Sequence, residues 1–230
     1  MGSIFVLGFL MGVRHAFEAD HLAAVASLAT RTRSVRSGAL QGAAWGLGHT
    51  LTLLVVGGTC LLLGKAVPER WATRLELAVG VMLLVLGLDV MRRLRQDRVH
   101  AHVHRHDDGT VHWHAHGHPE GAHAAGGHDH VHATGLPGRA LAVGLVHGMA
   151  GSAALFLLTL QATPSFWAGI GYIGLFGLGS ILGMAALSAV IAVPLLASAG
   201  LLRRIHRGLE VAVGLLTLGI GIRILAQLVP

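Results

Sequence analysis

Long apolar runs broken by short polar stretches dominate this chain. Six of them are long enough to cross a bilayer as helices, which takes about 20 residues each: residues 3–29, 38–64, 73–92, 138–161, 165–197 and 207–229. The pattern predicts an all-α polytopic membrane protein with six transmembrane helices. Short turns join most of the runs, and the exception is the third connection, rich in histidine. Basic residues cluster in alternate connections. Arg31, Arg33 and Arg36 lie in the first, Arg92, Arg93, Arg95, Arg98, Arg105 and Arg139 in or beside the third, and Arg203, Arg204 and Arg207 in the fifth. The second holds Lys65, Arg70 and Arg74, and the fourth, near Pro164, holds none. Cytoplasmic connections carry the excess of Lys and Arg. The expected topology is therefore multi-pass in a cytoplasmic (inner or plasma) membrane, with both termini outside and the histidine-rich loop in the cytoplasm.

Composition narrows the classes. A chain that is 53% hydrophobic and 12% charged leaves no room for a soluble catalytic domain. The net charge of +6 is carried by loop arginines and reads as a topology signal, with no nucleic-acid partner expected. The start, Met1-Gly2-Ser3-Ile4, lacks a basic region and is expected to be a retained membrane helix, not a cleaved signal. Cys60 is the single cysteine, so neither a disulfide framework nor a thiolate metal site is expected.

The two halves read as copies. Leu75-Glu76-Leu77-Ala78-Val79-Gly80 matches Leu209-Glu210-Val211-Ala212-Val213-Gly214 at an offset of 134, and Gly46-Leu47-Gly48 matches Gly177-Leu178-Gly179 at 131. His15 aligns with His147 at 132. Three helices per copy is an odd number, so the second copy would run inverted, giving a 3+3 inverted repeat of the kind that recurs in secondary transporters with a site near the midplane. The domains expected are a first repeat at 1–92, a disordered cytoplasmic His-rich loop at 93–137 and a second repeat at 138–230.

Ionisable residues inside membrane spans are functional by default. Each charged group at a helix centre costs about 2.5–3.5 kcal/mol if uncompensated. The first run contains Arg14, His15, Glu18, Asp20 and His21, while His49 and His147 fall near the midpoints of the second and fourth. Imidazole and carboxylate donors without thiolate suit nickel, cobalt or zinc. His15, Asp20, His21, His49 and His147 are the expected metal-ligating set. On a regular helix Asp20 lies about 140° and His21 about 240° around from His15. Convergence on one ion then requires either a break between His15 and His21 or a role for some members in orienting the others. Arg14 and Glu18, spaced i, i+4, are expected to neutralise one another on a continuous helix. In the second copy Ser152 stands in place of Asp20 and Ala153 in place of His21, so the site is expected to be asymmetric. Gly148, Ala150 and Gly151 are read as helix-contact residues, and Thr50 and Ser180 as backbone hydrogen-bonders or path-lining groups.

Between His100 and His132 lie twelve histidines with Gly, Ala and Asp among them and no apolar periodicity. Such a tract cannot bury a core, and it suits a weak multisite buffer or sensor of transition metals.

The run Arg14-His15-Ala16-Phe17-Glu18-Ala19-Asp20-His21 resembles the signature of the nickel/cobalt permease family (NiCoT), and His147-Gly148-Met149-Ala150-Gly151-Ser152 is similar to the matching stretch of its urease-accessory nickel transporter branch. The resemblance implies movement of Ni2+ or Co2+ across the cytoplasmic membrane with His15, Asp20 and His21 in the ion path. No P-loop is present, since five residues and not four separate Gly58 from Gly64-Lys65. A divalent ion entering down an inside-negative potential gains about 4.6 kcal/mol per 100 mV, twice the figure for one charge, which favours uptake. The expected function is a non-enzymatic secondary transporter with no cofactor beyond the transported ion. Its expected partners are the ion, the lipid bilayer and a cytoplasmic metallochaperone. Alternatives are an efflux carrier of the same superfamily, a membrane metalloenzyme, for which no His-Glu-x-x-His is present, and a metal sensor or storage protein.

Overall fold

In the computed structural model, residues 2–96, 100–105, 111–116, 137–149, 165–201 and 203–228 are described. The chain is a helical membrane protein. The helices among these residues are α1 (Gly2–His15), α2 (Ala19–Ala29), α3 (Val35–Leu63), α4 (Glu69–Gln96), α5 (Gly138–His147), α6 (Phe166–Leu201) and α7 (Arg203–Leu228). Among the described residues, three stretches are long and apolar enough to cross a membrane, Val35–Leu63, Phe166–Ser198 and Ile205–Leu228, and two shorter apolar helices are Ile4–His15 and Ala19–Ala29.

The first expected span is therefore not one helix. The α-helical ladder stops at His15, and tighter bonds follow, Phe17 N–H to the Arg14 carbonyl and Glu18 N–H to the His15 carbonyl, both 3.0 Å. Glu18 then takes an extended conformation (φ −65°, ψ 150°) and α2 starts afresh. The fourth expected span, 138–161, is described only as far as Met149, where α5 has likewise ended at its histidine. Ser152 and Ala153 lie outside the described residues.

Local chemistry sets the other boundaries. The Ser34 side chain accepts from Ser37 N–H at the start of α3, and Gly64 ends that helix with φ of 60°, a left-handed turn that glycine adopts at no steric cost. Part of the histidine-rich connection is regular. β1 (His100–Arg105) pairs antiparallel with β2 (Val111–His116), placing His102 opposite His114 and His104 opposite His112. A tract of histidine alternating with Ala and Val has the period of a strand, which accounts for this pairing where sequence reasoning expected a loose segment. The rest of that connection lies outside the described residues.

Packing crosses between the halves. α3 lies against α6 and α5, α1 against α6, and α4 against α7. Small residues make the approach close. A Cβ on Gly12 would overlap the Phe176 carbonyl and one on Gly179 the Phe9 carbonyl. In the same way a Cβ on Gly144 would overlap the Trp45 carbonyl and one on Gly48 the Leu141 carbonyl. Gly148 meets the His49 carbonyl, as its reading as a contact residue requires. Ala16, Ala23, Ala24, Val25, Ala44, Trp45, Leu83 and Met184 form the main buried core, beside the ends of α1 and α5.

Candidate functional site

The helix breaks deliver side chains to one place. His15 is the last residue of α1, His147 the last of α5, Asp20 and His21 sit in the first turn of α2, and His49 lies midway along α3. All four imidazoles are buried, none more than 4% exposed. His15 Nε2 lies 3.2 Å from His49 Nε2. The His21 ring touches those of both His15 and His147 edge-on, with centroids 4.2 Å apart in each case.

Asp20 ties two of the rings. Its Oδ1 accepts from His21 Nδ1 at 2.9 Å and from the His21 backbone N–H at 2.9 Å, while its Oδ2 faces His147 Nε2 at 3.1 Å. Both ways of reconciling the helix geometry are thus present together: the helix breaks, and a carboxylate orients histidines, as it does around many metal ions. At the rim, Glu18 Oε1 lies 3.0 Å from His15 Nδ1 with Glu18 half exposed.

The Arg14–Glu18 pair expected of a continuous helix does not form. Because α1 ends at His15, Glu18 turns to the His15 ring instead, and Arg14 is exposed. Thr50 and Ser180 act on the backbone. Thr50 donates to the Gly46 carbonyl at 2.8 Å and Ser180 to the Gly12 carbonyl at 3.2 Å.

Buried nitrogens are left over. Among the described residues, His21 Nε2, His49 Nδ1 and His147 Nδ1 have no hydrogen-bond partner, and a buried polar atom without one costs about 1–3 kcal/mol. The neighbouring Trp45 Nε1 is in the same condition, so the unpaired nitrogens gather around one cluster of rings. Among the described residues, two donor sets are close enough to hold a metal ion, His15 with His21 and His49, and Asp20 with His21 and His147.

Aromatic walls enclose the cluster. Phe176 lies 5.3 Å from the His15 ring, and Trp45 lies 5.4 Å from both His21 and His147. Sequence reasoning passed over both, because a Trp or Phe on an apolar helix looks like ordinary core. A second polar group also escaped it. Asp89 on α4 receives Arg31 at 2.7 Å and Arg139 at 3.0 Å, with Arg93 one turn along at 3.5 Å. Arg93 also reaches Thr30 Oγ1 at 2.9 Å, and Arg207 the Leu94 carbonyl at 3.1 Å.

No protein-family model matches the chain, and no solved structure does. Chloroplast protein FOR GROWTH AND FERTILITY 2 of Arabidopsis thaliana is 28% identical over 225 residues, which cover 96% of this chain and 55% of that protein. Chloroplast protein FOR GROWTH AND FERTILITY 1 of the same plant is 28% identical over 195 residues, covering 80% of this chain and 48% of that protein. The chain thus spans about half the length of these two. Urease accessory protein UreH of Bacillus sp. (strain TB-90) is 33% identical over 229 residues, covering 98% of this chain and 92% of that protein. This is kinship with an accessory protein and not with an enzyme. On identity that runs through nearly the whole of both proteins, the chain belongs to the family of the urease accessory protein UreH.

Proposed function

We propose that this protein is a secondary carrier for Ni2+, with Co2+ as an alternative cargo, working in uptake across the cytoplasmic membrane. The observation that carries the reading is the cluster of His15, His21, His49 and His147 around Asp20, with three buried ring nitrogens left without partners among the described residues. A divalent cation answers both needs at once. It takes the lone pairs of the neutral rings and balances the Asp20 carboxylate, whose charge is otherwise costly at membrane depth. The motif resemblance to nickel/cobalt permeases and the kinship with a urease accessory protein support nickel as cargo, and the proposal includes handing the ion to a cytoplasmic metallochaperone.

The proposed architecture is six spans in a 3+3 inverted repeat. Exchange of halves relates α1 to α5 and α3 to α6, so the α1–α6 contact corresponds to the α5–α3 contact. The glycine contacts correspond residue by residue. Gly12 against Phe176 and Gly179 against Phe9 map onto Gly144 against Trp45 and Gly48 against Leu141, at offsets of 132 along α1 and α5 and 131 along α3 and α6. Phe176 beside His15 likewise maps onto Trp45 beside His147. Chance recurrence of glycine would not keep the same contact partners.

The proposed topology puts connections one, three and five in the cytoplasm. Arg31, Arg93, Arg139 and Arg207 come from those three connections and their flanks and meet at one end of the bundle, which supports a shared side.

Radiotracer 63Ni flux into liposomes containing the purified full chain tests the function. Inward accumulation under an inside-negative potential, competed by Co2+ and reversed with the potential, is the expected result. Flux equal to that of empty liposomes under every potential overturns the reading. Accumulation that requires an opposing proton gradient, with resistance to nickel in cells, would make it an exporter.

A further inference from the structure

Resting on that reading and deepening it, we infer that the cluster holds the ion at two successive positions that share His21. The donors fall into two sets. One is His15, His21 and His49, the other Asp20, His21 and His147, and within each set the ligand atoms lie within 4.8 Å of one another. The five residues do not form one such set. Donors bound to a single first-row ion at about 2.1 Å are at most about 4.2 Å apart. Each set therefore closes on an ion with a small contraction, while binding by all five would require a larger collapse of α1, α3 and α5 onto one point.

His21 alone belongs to both sets, and its ring is placed for the task. It stands between His15 and His147, 4.2 Å from each by ring centroid. Its Nδ1 edge meets Asp20 at 2.9 Å, and Nε2, on the opposite edge, is buried without a partner among the described residues. The Nε2 edge takes the ion together with His15 and His49. The Nδ1 edge takes it together with Asp20 and His147. One imidazole thus separates two ion positions and hands the cation from one edge to the other.

The proton count is conserved, with water that enters beside the ion taking up the proton at one nitrogen of each ring and returning it at the other. With the ion at the first position, His21 Nδ1–H and His147 Nε2–H donate to the two oxygens of Asp20. At the second position the ion occupies those two nitrogens, and each ring carries its proton on its other nitrogen, Nε2 of His21 and Nδ1 of His147. Both rings stay neutral throughout. The ion, meanwhile, passes from three neutral donors to a set containing a carboxylate, so the second position holds it more strongly. The helices order the two positions along the path. His15 closes the half-helix α1 and His147 the half-helix α5, which the proposed topology brings in from the outer and the cytoplasmic face respectively.

Crystals of the full chain soaked in Ni2+ alone, with anomalous difference maps at the nickel edge, test this independently of nickel on the histidine-rich connection. His147→Ala is expected to leave a core peak beside His15 and His49. His49→Ala is expected to leave one beside Asp20 and His147, and His21→Ala to leave neither. Both single variants should have lost 63Ni flux in liposomes, since each keeps one position and breaks the relay. The asparagine variants His147→Asn and His49→Asn serve where alanine prevents folding. A core peak at the same place in His147→Ala and His49→Ala, or its absence from both with wild-type binding intact, overturns the relay. Absence of core nickel from the wild type sinks instead the carrier function on which the relay rests.

Discussion

Asp20 reaches His147 across 127 positions of chain, Oδ2 to Nε2 at 3.1 Å, while its other oxygen holds the neighbouring His21. One carboxylate thereby couples the start of α2 to the end of α5, and so the first half of the protein to the second. Its removal should act on both histidines at once. Asp20→Asn keeps the size but offers one acceptor oxygen where two were used, and it withdraws the negative charge. Losing a carboxylate that orients a histidine typically costs 10–100-fold in metal affinity. The expected outcome is a drop of about that order in nickel affinity, seen as a rise in the nickel concentration needed for half-maximal 63Ni uptake at unchanged membrane protein level. Uptake that matches wild type would remove Asp20 from the site.

Glu18 should behave differently. It is half exposed and touches the cluster only through His15 Nδ1. Glu18→Gln retains an oxygen that can accept from that nitrogen, so binding should survive, with an effect of about 1 kcal/mol, or about fivefold in affinity. Competition between Ni2+ and a chromophoric chelator, read on the protein with residues 100–132 unable to bind, measures it. Loss as severe as that of Asp20→Asn would make Glu18 a ligand in its own right.

Paired glycines give a test of packing that touches no chemistry. Gly12→Ala drives a methyl into the Phe176 carbonyl and Gly144→Ala one into the Trp45 carbonyl. Neither partner can give way, being helix backbone, so each substitution should destabilise by about 1–3 kcal/mol, as overpacking does elsewhere. Gly208→Ala is the control. Nothing lies within 4 Å of its Cβ position, and alanine there should be neutral or stabilise by up to about 1 kcal/mol. Thermal unfolding of the detergent-solubilised protein separates the three. If Gly12→Ala and Gly144→Ala unfold where Gly208→Ala does, the two helix contacts are looser than described.

Much of this was legible in the sequence, for identifiable reasons. Angular arithmetic on His15, Asp20 and His21 demanded either a broken helix or an orienting carboxylate, since 3.6 residues per turn cannot aim all three one way. The break at Ala16 to Glu18 supplies the first and the two bonds of Asp20 the second. The same arithmetic misled at Arg14 and Glu18, whose i, i+4 pairing presumes the continuity that the break removes. Gly46-Leu47-Gly48 and Gly177-Leu178-Gly179 pointed to close packing, and Gly48 and Gly179 each sit where a neighbouring carbonyl leaves no room for a Cβ. What stayed hidden depends on partners far apart in the chain. Asp89 has no charge pattern around it that points to Arg31 or Arg139, 58 and 50 residues away. Trp45 and Phe176 gain their meaning only from the rings beside them.

That arginine cluster carries the last prediction. Three guanidiniums face the single carboxylate of Asp89, and all four groups are partly exposed. Exposed ion pairs contribute about 0–1 kcal/mol each and are screened by salt. Arg31→Ala and Arg139→Ala should therefore each cost little. Asp89→Ala differs in kind, because it leaves Arg31, Arg93 and Arg139 crowded together without the carboxylate they share. Its loss should exceed that of either arginine variant and shrink as salt rises, since salt relieves the repulsion that remains. Unfolding temperatures of the three variants between low and high NaCl supply the comparison. A deficit in Asp89→Ala that does not change with salt would mean that Asp89 is held for its packing and its backbone, and that the arginines gather there for the membrane surface alone.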